Sequence, residues 1–273
     1  MEIVGENADD FSVRPLVSVI TLTYNQEKFL PACLESIRAQ TGDFDLEHII
    51  VDDASTDQTR AILDAYKGWF PDTTTILRFR ENQGANAGMK AAYAHCNGLY
   101  VALCEGDDLW IAPDKLKIQV ELMRKRPDLA MCYHDAVVMK EDKREWPQIM
   151  PGFGAPIQTI EDLLDDNKAH TCSVMYRRIQ GLEYPDWYTQ FTIGDWPNHV
   201  FHAMRGGIGY VGCPLSAYRV HDKGSWSGMA EAKRIEELCG MLSKLDAHLM
   251  FRFSNRIAET IARIRQDASA RAA

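Results

Sequence analysis

Five short apolar runs rich in branched residues mark the first half of the chain: Val17 to Thr23, His48 to Asp52, Thr75 to Phe79, Leu99 to Cys104 and Leu129 to Tyr133. Between them, Glu27 to Gln40, Thr56 to Phe70, Ala85 to His95 and Pro113 to Lys125 repeat apolar residues at helical spacing. This alternation predicts βα units on a mainly parallel sheet, because parallel neighbours need a crossover between them. Pro113 suits a first helical turn, and Ser55 or Thr56 suits an N-cap.

The regularity ends after Lys140, where Trp146, Pro147, Pro151, Gly152, Gly154 and Pro156 predict a long functional loop or a second lobe. Thr171 to Arg177 and Ile208 to Val220 then read as strands, Trp196 to Met204 as a helix, and Met229 to about Arg265 as one or two long helices. Within that last stretch Ile235, Leu238, Met241, Leu242, Leu245 and Leu249 form a stripe suited to core packing or to a homodimer. The chain thus divides into an acidic leader (1–14), a regular α/β half (15–140), an irregular half of the same domain (141–228) and a C-terminal helical extension (229–273).

Composition narrows the function. Apolar residues make up 46% of the 273 positions, enough for a sizeable core, and the formal charge of -9 leaves no broad basic footprint for nucleic acid. Seven scattered cysteines show no CxxC spacing, which fits a reducing cytoplasm. No stretch reaches the ~20 apolar residues that span a bilayer, so a membrane contact would be peripheral. Arg252, Arg256, Arg263, Arg265 and Arg271 give a basic end that could meet anionic headgroups at the inner membrane face.

In open α/β sheets ligands bind beyond the carboxyl ends of the strands. Here those ends carry Thr23, Tyr24 and Asn25, then Asp52 and Asp53, then Glu105, Gly106, Asp107 and Asp108. Carboxylates crowded on one rim repel, and Mg2+ or Mn2+ could join them to an anionic diphosphate. Capping is the plainer role for a strand-end aspartate, and Asp52 or Asp114 could do only that.

At these residues the chain resembles the family-two inverting glycosyltransferases of the GT-A fold, in their bacterial form. Val17-Ser-Val-Ile-Thr-Leu-Thr-Tyr-Asn25, Ile49-Ile-Val-Asp-Asp-Ala-Ser-Thr-Asp57 and the Asn82-Gln-Gly84 turn with Ala85-Asn-Ala-Gly88 match its first half. Glu105-Gly-Asp-Asp-Leu-Trp110 resembles a variant of its DxD motif. Thr171 to Arg177, Ile193-Gly-Asp-Trp-Pro197 and Tyr218 to Ser227 continue the likeness, which covers roughly residues 15 to 228.

The resemblance implies a Rossmann-like nucleotide-diphospho-sugar transferase fold with a mainly parallel central sheet. It implies a metal-dependent enzyme moving a sugar from a nucleotide diphosphate onto a hydroxyl of a glycan or lipid-linked saccharide, as in polysaccharide biosynthesis. The donor would meet Thr21, Thr23, Tyr24, Asn25, Asp53, Gly84, Asn86, Lys90, Glu105 and Asp107. Asp53 would face the imide N–H of a base, uridine first, with thymidine and guanosine still open. Asp108 and His221 would hold Mn2+ or Mg2+, His221 being equally suited to plain hydrogen bonding. Asp195 would be the general base, or an N-cap for the helix behind it. Trp187, Trp196 and Trp226 fit sugar platforms or core, and Arg219 a diphosphate contact or a surface ion pair.

Two rivals follow. One is a nucleotide-sugar-binding module of the same fold without turnover. The other is a dehydrogenase, NTPase or serine hydrolase, against which stands the lack of GxGxxG, GxxxxGK[ST] and GxSxG.

Overall fold

A computed structural model describes residues 16–140, 148–152, 154–222 and 224–272; the leader expected over 1–14, and Trp146 and Pro147, lie outside these. Strands β1 (Leu16–Thr23), β2 (Asp45–Asp52), β3 (Thr74–Arg78) and β4 (Tyr100–Leu103) lie parallel in the order β3-β2-β1-β4. Crossovers run through α1 (Leu30–Arg38), α2 (Thr59–Trp69) and α3 (Ala85–Tyr93). Beyond β4 the sheet continues through β9 (Met175–Arg177), antiparallel to both neighbours, to β6 (Leu129–Lys140) and its parallel partner β10 (Gly207–Val220). The two-residue β5 (Leu109–Trp110) pairs antiparallel with β10 at Ser216 and Ala217. Two short strands, β7 (Gln148–Met150) and β8 (Ile157–Gln158), add to β6 and β10.

Alternation along β1 sorts its side chains between two layers. Val17 and Val19 pack with Cys33 and Ile37 of α1 and with Leu116 and Val120 of α4 (Lys115–Lys125). Ile20 and Leu22 pack with Met89 of α3, Val200 of α6 (Asp195–Ala203) and Leu242 of α7 (Glu231–His248). Helix α8 (Ser254–Ala272) folds back on α7 and on α5 (Ile160–Asp165). Met241, Leu242, Leu245 and Leu249 are therefore buried within the chain. Part of the expected basic end is engaged too, Arg256 pairing with Asp165 at 2.5 Å and Arg271 with Glu231 at 3.5 Å. Among the described residues no helix is long and apolar enough to cross a membrane.

Several local expectations are corrected. Helix α2 starts at Thr59, because Ser55 and Thr56 bond to Asn25 instead, while the Asp57 carboxylate accepts the Thr59 N–H. Helix α4 starts at Lys115, since the Pro113 carbonyl accepts Thr41 N–H and holds the chain outside the helix. The strand expected over Thr171 to Arg177 shortens to β9, its first three residues forming a tight turn closed on the His170 carbonyl by Ser173.

Candidate functional site

After β4 the chain bends sharply into β5. Gly106 N–H donates to the Leu22 carbonyl, and Asp108 N–H to that of Glu105. A side chain at Gly106 would begin 2.3 Å from Gln26 Oε1 and 3.0 Å from Thr23 Oγ1, so it would have to displace the end of Gln26 and crowd Thr23. Carboxylate oxygens of Glu105, Asp107 and Asp108 come within 4.8 Å of one another.

Asp108 is fully buried. Its Oδ1 accepts the Arg219 N–H at 2.9 Å, while Oδ2 is enclosed with only the weakly donating Cys172 thiol beside it. Burial, then the charges of Asp107 and Glu105, hold its acid well above the usual carboxylate range. Burial likewise pushes Glu105 up to about 8, with Asp107 and Asp195 adding to it. Asp107 lies 3.1 Å from His221 Nε2, and the His221 ring rests on Phe29 at 4.6 Å. A buried carboxylate oxygen with no good donor, inside a cluster of three acids, suits a hard divalent cation.

Along the rim formed by β1 and β2 the Asp53 and Asn25 side chains are already engaged. Asp53 accepts Gln83 N–H at 2.7 Å and Gly84 N–H at 2.8 Å, anchoring the turn that opens α3. Gly84 adopts a φ of 86°, which favours glycine, with open space where a side chain would go. Asn25 takes a left-handed φ of 51° and accepts the Thr56 N–H at 2.7 Å. Tyr24 is exposed beside it. Thr23 is buried with an unpartnered hydroxyl close to Gly106.

Two expected donor contacts, Thr21 and Lys90, lie away from the cleft, and a third, Asn86, borders it with its amide engaged. Thr21 is fully buried on the α1 and α4 side of the sheet, its hydroxyl 2.8 Å from His48 Nε2, and does not reach the rim. Lys90 faces a shallow depression shared with Phe79, Glu81 and Thr189 and does not line the cleft that Asn86 and Met89 border. Asn86 borders the cleft but uses its amide to tie α3 to the carbonyls of Tyr188 (3.0 Å) and Phe191 (2.8 Å).

A cleft of about 480 Å³ opens between α3, the 166–171 segment, the start of α6 and the end of β10. Glu105 and Asp195 both line it, so one acid of the turn shares a cavity with Asp195. Asp195 is the first residue of α6, with Gly194 in the N-cap position. Its Oδ1 accepts the Trp196 N–H at 2.7 Å and its Oδ2 the Asn167 side-chain N–H at 3.0 Å. Trp226 lines the cleft. Trp196 also borders it but is mostly core, its indole N–H bonding the Leu163 carbonyl, and Trp187 packs on Phe191, Phe201 and His248.

Some residues here had no signal in the sequence. Asn167 holds Asp195, and His170 stacks on Tyr218 in the cleft wall at 5.6 Å. Burial lowers the pKa of His170, against which the Asp195 charge works. Arg219 serves through its backbone on Asp108, while its guanidinium lies over Phe29.

Sheet order, acidic turn and helix-borne aspartate together define a GT-A fold, and solved structures of that kind superpose on it. S. aureus TarS in complex with UDP-GlcNAc matches with a TM-score of 0.65 at 19% identity, over 90% of this chain and 71% of that one. The mannosyltransferase PcManGT from Pyrobaculum calidifontis, in complex with GDP-Man and Mn2+, matches with a TM-score of 0.59 at 21% identity, over 95% and 76%. The sequence profile of Glycosyl transferase family 2 matches residues 18–180, and the chain belongs to that family. Its relatives include an uncharacterized protein of Mycobacterium tuberculosis, 33% identical over 90% of this chain and 71% of the relative. The putative teichuronic acid biosynthesis glycosyltransferase TuaG of Bacillus subtilis is 39% identical over 67% and 71%.

Proposed function

We propose that this glycosyltransferase transfers a sugar from a nucleotide diphosphate, a UDP-sugar first, to a hydroxyl of a glycan or lipid-linked saccharide with inversion at the anomeric carbon. The observation that carries the reading is the shared cleft: Asp195 opens into the same cavity as Glu105, whose neighbours Asp107 and Asp108 complete the acidic cluster. Structures of TarS with UDP-GlcNAc and of PcManGT with GDP-Man and Mn2+ support a nucleotide-sugar donor and a divalent ion.

Asp108 and Asp107, with His221 beside them, are the residues that would hold Mn2+ or Mg2+. A divalent cation there supplies positive charge to the diphosphate as it leaves. The chain's own groups do the rest. Asp53 keeps lone pairs free after accepting the Gln83 and Gly84 amides, and one of them can take the imide N–H of a pyrimidine. Asp195, its carboxylate held from two sides, accepts the proton of the acceptor hydroxyl as that oxygen bonds the anomeric carbon and the bond to diphosphate breaks. The apolar walls from Leu22, Met89, Leu103 and Val220 keep water from competing for the sugar.

The test has two stages. Thermal shifts with UDP-GlcNAc, UDP-glucose and GDP-mannose, each with and without Mn2+, identify the donor as the one giving selective, metal-dependent stabilisation. Turnover of that donor should then fall by about 10²- to 10⁴-fold in Asp195→Asn with donor affinity kept. A wild-type chain that binds donor and never turns it over would instead make this a binding module.

A further inference from the structure

We propose that Asn167 is the positioning residue of Asp195, and that a buried chain of hydrogen bonds starting at Tyr176 holds it in place. The inference rests on Asp195 being the base. A carboxylate on the first turn of a helix is free to rotate about two side-chain bonds, and a base must present a lone pair along one direction. Here each oxygen is restrained by a different segment. The Trp196 N–H reaches Oδ1 from α6 itself, and the Asn167 amide reaches Oδ2 from across the cleft wall.

Asn167 is fixed in turn. Its Oδ1 accepts the Ala169 N–H at 3.3 Å, and the Ala169 carbonyl lies 2.9 Å from His199 Nε2. His199 Nδ1 lies 2.6 Å from the Tyr176 hydroxyl. A carbonyl can only accept, so Nε2 carries the proton and Nδ1 takes the Tyr176 hydroxyl hydrogen. His199 and Tyr176 are both fully buried, and burial holds the His199 imidazole below its usual range, in the neutral form this arrangement needs. The chain therefore runs from β9 through α6 and the 167–169 segment back to the head of α6, and it closes on the reacting carboxylate. No step of it needs a ligand, so the carboxylate is aimed before substrate arrives.

Three variants test this with the donor selected by thermal shift, reading release of the nucleoside diphosphate, binding of UDP by calorimetry and the thermal midpoint. Asn167→Ala should lower kcat by about 10²-fold, the effect of a base displaced by roughly 1 Å, at unchanged UDP affinity and donor KM. Asn167→Asp places a second carboxyl 3.0 Å from the first, and such a pair retains one proton to higher pH than a lone carboxylate. While that proton is present the introduced group can donate as the amide did. Turnover should therefore survive at low pH and fall as pH rises past the loss of the shared proton, a limb that wild type and Asn167→Ala lack. His199→Gln should weaken turnover in the same direction by a smaller factor. If Asn167→Ala matches wild type while Asp195→Asn is inactive, the positioning role is overturned and the base assignment stands. A loss of UDP affinity or a raised donor KM in Asn167→Ala, with kcat kept, would also overturn it, making Asn167 a ligand contact. Turnover retained by Asp195→Asn overturns both.

Discussion

Two strands on either side of β1 lead into the same dipeptide and treat it in opposite ways. At the end of β2, Asp52 accepts the Ser55 N–H at 2.9 Å and pairs with Arg60 at 3.1 Å, and Asp53 takes two backbone amides. At the end of β4, Asp107 and Asp108 stand with Glu105, and one Asp108 oxygen is left enclosed without a proper donor. The first pair is balanced within the chain and stabilises its loop. The second keeps one enclosed oxygen without a proper donor, a demand that a divalent cation would meet under the proposed function, whereas Asp53 would meet a base only with lone pairs its own loop leaves free.

The largest expected effect follows from removing the unbalanced charge. Asp108→Asn should lower turnover by about 10²-fold or more, since several kcal/mol of charge stabilisation at 1.36 kcal/mol per decade are lost with the cation. The same variant should melt no lower than wild type without metal, because burial already disfavours the charged form of Asp108 and a neutral amide spares that cost. Asp52→Ala should do the reverse, losing about 1 to 3 kcal/mol of stability in denaturant titration as the buried Ser55 N–H loses its acceptor. Equal behaviour of the two variants would break the contrast.

Acidity sharpens the contrast further. Burial, with the Asp107 and Asp195 charges, pushes the folded Glu105 from its ordinary 4.5 up to about 8, so between those values the folded chain keeps a proton that the unfolded chain has lost. That contribution makes metal-free stability fall as pH rises towards 8. Buried His48 and His202, both lowered to about 3 from 6.5, act oppositely and remove stability as pH falls below 6.5. The metal-free melting temperature should therefore peak near pH 6.5, and Mn2+ should flatten the alkaline side alone by replacing the proton. A metal-free profile that keeps rising to pH 8 would contradict the raised Glu105. The smallest effect belongs to Thr21→Val, which should cost about 1 kcal/mol by removing the hydroxyl from His48 and leave donor binding unchanged.

The regular half was legible because its signals are local. Each of β1 to β4 declares itself by a short branched run, and α1 to α4 by apolar spacing, though Asn25 draws Ser55 and Thr56 away from the start of α2. Helix α5 carries a local signal as well: Thr159 and Asp162 form its capping box, with Thr159 N–H donating to Asp162 at 2.9 Å. Other features have no local signature. The insertion of β9 between β4 and β6 depends on pairing across some 70 residues of sequence, Ala102 opposite Met175. Asn167 meets Asp195 only because α6 and the 166–171 segment are brought to one wall. Period and spacing also could not show that Asn86 spends its amide on two carbonyls, or that Lys90 borders a separate depression.

The little ladder between β5 and β10 has a mechanical consequence. Its two rungs, Leu109 with Ala217 and Trp110 with Ser216, clip the loop that bears Asp108 to the strand that bears Tyr218 and Arg219 and leads into His221. The Trp110 backbone N–H is moored to Ser36 Oγ and its indole N–H to the Cys172 carbonyl, so the clip is bolted to the body on both sides. The acids on one jaw and the histidine on the other travel as a single part, and the gap between them is set when the chain folds.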